Sequence, residues 1–257
     1  MMHTTLALLA LSLFRTGTVR DGESWLGQAE KKLYRWPQPA VVVRFEARTD
    51  LVAPAIASLK AELARKPSDD AARVIAALEQ LTIQGSIDTS TGKMTTDVNV
   101  PYDGTDPERQ RYVDEVKKRV VSTVSGCFRS LPLNDPSFLR PGAKVTGCEE
   151  NDESIEVAIA SSRNGDTLKL TLARPSLLPE SIETPAFTGR YEFEESFPGR
   201  FAPVRLDLVT RDAVATHAEY TYQKQGDLLF PASVTITARD VTATITFGSL
   251  VIDRRPK

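Results

Sequence analysis

The second half of this chain is written almost entirely in period two, and that pattern restricts it to antiparallel sheet. Ile155, Val157 and Ile159 alternate with polar neighbours, Arg163-Asn164-Gly165-Asp166 follows, and Leu168, Leu170 and Leu172 alternate again. Asn-Gly supplies the positive backbone angles that match strand twist, so the two runs read as a hairpin. Tyr191 and Phe193 continue the pattern, then Val204, Leu206 and Leu208, then Ala218, Tyr220 and Tyr222. Gln225-Gly226-Asp227 marks another turn ahead of Val234 and Ile236. The last run sets Val241, Ala243, Ile245 and Phe247 against Thr242, Thr244 and Thr246. Alternation sends every second side chain to one face, which predicts a meander of about six or seven strands with one apolar side.

The first half mixes periods. Trp25, Leu26, Ala29 and Leu33 form one stripe, predicting an amphipathic helix over 22–35 that Trp36-Pro37-Gln38-Pro39 stops. Residues 40–48 alternate as a strand with Val41, Val43, Phe45 and Ala47 on one face. Val52, Ile56, Leu59 and Leu63 predict a second helix; Ile75, Leu78 and Leu81 predict a third, with Ser68 as its cap. A hairpin turns at Ser90-Thr91-Gly92, between Ile83, Gly85, Ile87 and Met94, Thr96, Val98, Val100. Asp106-Pro107 opens a long helix striped by Val113, Val116, Val120, Val124, Cys127 and Leu131, and Pro132, Pro136 and Pro141 end it.

Helical stripes need a sheet, and a sheet with one apolar face needs a cover. The fold class expected is therefore α+β, a curved antiparallel sheet (a half-barrel meander) covered on one face by helices. Residues 19–257 read as a single domain, helix-rich over 19–141 and a β meander over 142–257. Ahead of it, Leu6–Phe14 is an unbroken apolar run of signal-peptide length, too short to cross a bilayer. Residues 1–18 are thus expected to be a signal peptide and the protein periplasmic or secreted, with no transmembrane segment in the mature chain. The alternative for Leu6–Phe14 is a buried N-terminal helix. Hydrophobic residues make up 41% of the 257, enough for a core without a metal or disulfide staple. A net charge of −2, with the only dense basic run at Arg254-Arg255-Pro256-Lys257, argues against a nucleic-acid partner.

Reactive chemistry is sparse. His217 is the one imidazole outside the presumed signal, so a hydrolase would have to use it as base; a solvent-facing strand histidine is the competing reading. No nucleophile-elbow, zincin, phosphate-loop or dinucleotide motif occurs, and no catalytic residue, metal site or cofactor is assigned. The acidic run Glu149–Glu153 lacks the alternating ligands and glycine of a calcium loop and reads as a charged hairpin tip. Glu192 and Glu194 fall on the outward face of their strand, where charge is expected. Tyr191, Phe193, Tyr220, Tyr222 and Phe247 point inward, either as core or as the lining of a ligand cavity. Cys127 and Cys148, the only cysteines, are a candidate disulfide in an oxidising compartment; the alternative is two buried free thiols.

The opening helix and strand (Trp25–Leu33, Val41–Ala47) and the closing run from Tyr222 to Val234, with Gly226 and Phe230-Pro231 ahead of the strand Val241–Phe247, resemble the LolA/LppX-like group of periplasmic proteins. That resemblance implies a half-open antiparallel barrel lidded by helices and holding lipid; it carries over no functional residue. The expectation is a non-catalytic binding protein for a hydrophobic ligand, a lipid or the acyl chain of a lipoprotein. The alternatives are a structural or protein-interaction domain with a fully packed core and, third, a hydrolase built on His217.

Overall fold

A computed structural model describes residues 15–37, 41–129, 142–160, 166–239 and 241–254. In chain order the elements are β1 (Arg15–Gly17), α1 (Val19–Lys32), β2 (Val41–Thr49), α2 (Ala53–Arg65), α3 (Asp69–Glu79), β3 (Thr82–Asp88), β4 (Met94–Asn99) and α4 (Pro107–Arg129). Strands follow: β5 (Lys144–Glu150), β6 (Ser154–Ala160), β7 (Thr167–Ala173), β8 (Pro179–Glu183), β9 (Phe187–Phe197), β10 (Arg200–Thr210), β11 (Ala215–Gln225), β12 (Leu228–Ala238) and β13 (Val241–Arg254). The protein is largely antiparallel sheet with four helices among the described residues. Its described residues divide into two compact units, each made from two stretches of chain: those within 1–34 and 136–216, and those within 35–135 and 217–257.

The first unit orders its strands β1-β5-β6-β7-β8-β9-β10, every neighbour antiparallel. Helix α1 begins at Val19, three residues earlier than its apolar stripe suggests, because Thr18 and Asp21 form a capping box. Its buried side, Leu26 and Ala29, joins Val145, Cys148, Ile155, Val157, Leu170 and Leu172 in one core. Gly22 lets the helix approach closely: a Cβ there would stand 2.9 Å from Val145 Cγ1. The helix ends at Lys32, and Leu33 then forms a parallel bridge with Phe201.

The second unit orders its strands β11-β12-β13-β2-β3-β4. Strand β2 alternates as its sequence predicts, with Val41, Val43, Phe45 and Ala47 buried, and it pairs with β13 on one side and β3 on the other. Asp106 caps α4 by accepting from Glu108 N at 2.8 Å. The buried stripe of α4 is Val113, Val120, Val124, Cys127 and Phe128, whereas Val116 is only half-buried and Leu131 lies outside the described residues. Phe128 completes a cluster with Phe45 of β2, Phe230 of β12 and Phe247 of β13, ring centroids 5.3–5.8 Å apart. Each such pair adds about 0.5–1.5 kcal/mol beyond the area it buries.

The bridge expected between Cys127 and Cys148 is not formed. Both cysteines are buried and neither is in a disulfide. Cys127 belongs to the α4 stripe of the second unit, whereas Cys148 belongs to the α1–β5–β6 core of the first. Each therefore behaves as a small apolar side chain within its own core.

Candidate functional site

Strands β9 and β10 carry the first pair of expected cavity residues. Tyr191 stands opposite Leu206, Phe193 opposite Pro203 and Gly189 opposite Leu208, so these side chains share one face. Tyr191 and Phe193 are half-buried and their rings tilt against each other with centroids 6.0 Å apart. Burial pushes the Tyr191 hydroxyl above the ordinary phenol range.

The other three expected residues belong to the second unit, and they differ in setting. Tyr220 is buried and Tyr222 half-buried on the same face of β11; burial, then the neighbouring Tyr220, raises the Tyr222 hydroxyl far above its usual range. Phe247 is buried in the four-phenylalanine cluster, with three rings against it, so side chains already fill its surroundings. The fold thus brings Tyr191 to Phe193, and Tyr220 and Tyr222 share one strand, but the five fall in two different units.

A groove of about 890 Å³ opens in the second unit where the α2–α3 hairpin meets the ends of β2 and β3. Val52, Ile56, Leu78 and Leu81 from the helical side meet Ala47 and Ile83 from the strands, and Glu46 and Arg48 stand at its rim. The stripes forming the hairpin were readable in the sequence, but the space was not. Ile56, which lines it, stays half-exposed while Leu59 on the same helix is buried, a difference that tertiary packing decides.

His217 lies on β11, its Nε2 3.0 Å from Glu219 Oε1 two residues along the same strand, and the Glu219 side chain is 60% exposed. The acidic run 149–153 forms the tip between β5 and β6. Asn151 Oδ1 accepts from the backbone N–H of Glu153 and of Ser154 at 2.8 and 2.7 Å, folding the turn. Glu150 faces Trp25 and Arg174, accepting from Trp25 Nε1 at 2.9 Å and from Arg174 Nη2. The guanidinium of Arg174 also lies 5.5 Å from the Trp25 ring centroid. No group of metal-ligating side chains occurs among the described residues. Among those residues no helix is long and apolar enough to cross a membrane.

Set beside known protein families, curated proteins and solved structures, the chain matches none.

Proposed function

We propose that this protein is an exported, non-catalytic binding protein for a hydrophobic ligand, a lipid or acyl chain, and that it works as a half-open barrel of the LolA/LppX kind, its curved sheet covered on one face by helices. The observation that carries the reading is the half-buried apolar strip of Tyr191 and Phe193 beside Leu206 and Leu208. Rings left half-covered on a sheet face are a ready contact for a fatty chain, each offering large apolar area at little entropic cost. The groove of about 890 Å³ beside Ile56 and Leu81 supports it, being within the size range of small-molecule sites.

A second reading, a packed protein-interaction domain, is favoured by the four-phenylalanine cluster, which leaves Phe247 no free face. Titration with a fluorescent fatty acid, together with native mass spectrometry and organic extraction, separates the two. The binding reading expects saturable uptake that Phe193→Ser weakens while the circular dichroism spectrum is kept. A clean apo mass and no uptake would overturn it in favour of the packed domain. N-terminal sequencing of protein from its native host tests export, which an intact Met1 on a cytosolic protein would overturn.

A further inference from the structure

We infer that the cleft between the outer edge of β4 and helix α4 is a docking site for an extended, acidic peptide segment, taken up as an added strand. Strand β4 is last in the order of its unit and has β3 as its only strand neighbour among the described residues. Asp88 N donates to Lys93 O at 3.0 Å where the hairpin closes, which fixes the parity of the ladder. Because bonded and non-bonded pairs alternate in an antiparallel ladder, Ser86↔Thr95 and Gln84↔Asp97 are the bonded pairs. The N–H and C=O of Thr96 and Val98 therefore point away from β3. The strand has no proline, and its pairing with β3 runs without a bulge, so it lacks two of the usual devices that blunt an edge.

Across from that edge stands one face of α4. Thr96, Asp97 and Val98 on the strand and Lys117, Lys118 and Val121 on the helix enclose a cleft of about 410 Å³. An edge strand flanked by a helix gives an incoming chain backbone partners on one side and side-chain contacts on the other. The charge of the cleft selects the chain. Lys117 and Lys118 have no ion-pair partner among the described residues, and Asp97 is the single acid in the wall. Thr96 adds a buried hydroxyl oxygen without a hydrogen-bond partner among those residues. In an added strand, alternate side chains turn towards the cleft. Carboxylates at those positions meet the two lysines, while the intervening residues turn to the opposite face.

The test uses the full chain and a fluorescein-labelled octapeptide of alternating Glu and Val, with an alternating Lys and Val octapeptide as control. Anisotropy should saturate with the acidic peptide, weaken as salt rises, and weaken about tenfold or more in Lys117→Glu/Lys118→Glu, as expected for a lost pair of complementary charges. Thr96→Pro should abolish binding yet leave the fold intact by circular dichroism, since proline is tolerated where a strand N–H faces outward. If Thr96→Pro unfolds the protein, the derived register is wrong and the proposal fails with it. Equal binding of the basic peptide, binding unchanged in the lysine variant, or no binding of either peptide would overturn it. So would a wild-type dimer in sedimentation that Thr96→Pro converts to monomer, since the edge would then pair with a second copy.

Discussion

The ring of Phe45 lies across its cross-strand partner Gly85, so close that a Cβ on residue 85 would stand 2.3 Å from Phe45 Cζ. The ring cannot swing aside, because Phe128, Phe230 and Phe247 hold it. Gly85→Ala should therefore destabilise the fold by about 1–3 kcal/mol as an overpacking change. Urea denaturation measures it, and adding Phe45→Leu to that variant should recover part of the loss. Full stability in Gly85→Ala would mean that the ring is mobile.

Glu150 holds two half-buried donors at once, Trp25 Nε1 and Arg174 Nη2. Glu150→Ala leaves both unpaired and should cost about 1–3 kcal/mol. Trp25 fluorescence should shift to the red as its indole turns to solvent. Arg174→Lys loses the planar fork over the indole and should fall between wild type and Glu150→Ala.

Burial pushes the Cys127 thiol up to about 12 and the Cys148 thiol up to about 11. In the unfolded chain both ionise from about pH 8.5. Between that pH and the native values the unfolded state binds fewer protons, so stability falls as pH rises. Below pH 8.5 the thiols contribute no pH dependence. Urea midpoints from pH 8 to 10.5 should drop more steeply for wild type than for Cys127→Ala/Cys148→Ala. Mapping without reduction should recover both cysteines alkylated, and at pH 8 a thiol reagent should label them only after denaturation.

The export expectation meets a structural demand at Thr18. Arg15–Gly17 pair with β5 and Thr18 caps α1, so a chain starting at Val19 loses a strand and a capping box. A chain starting at Arg15 keeps both. The cap alone should make the shorter form about 1 kcal/mol less stable. Comparing the melting of the two truncated proteins checks this, and equal stability would show that neither feature matters to the fold.

Local chemistry made much of the fold legible. Gly92 and Gly226 adopt the positive φ their turns need, and β2 and β6 bury the side chains that alternation selects; β13 buries Ala243, Ile245 and Phe247 but leaves Val241 exposed at its start. The Asn164-Gly165 turn lies outside the described residues. Strand β8 was missed because it is five residues long and opens on Pro179. Leu228, Leu229, Phe230 and Pro231 are all buried, a run that hides the period of β12. The candidate site was less legible. Alternation gives the face of Tyr191 or Phe247 but not its neighbours, and only the tertiary fold puts Phe128 against Phe247 while leaving Phe193 half-covered. The same limit explains the bridge that did not form, since stripes place each cysteine in a core without saying that the cores differ.

The pairing of β2 with β13, Val41 against Arg254, joins two strands that lie far apart in the sequence. During synthesis β2 leaves the ribosome well before β13, its partner on one side, has been made. A hydrophobic strand with one vacant edge is what aggregating chains recruit, so the interval before β13 arrives is the one in which the chain is most exposed to association. Contacts this remote in sequence also form slowly, which makes completion of the second unit, rather than its local hairpins, the step that sets the folding time.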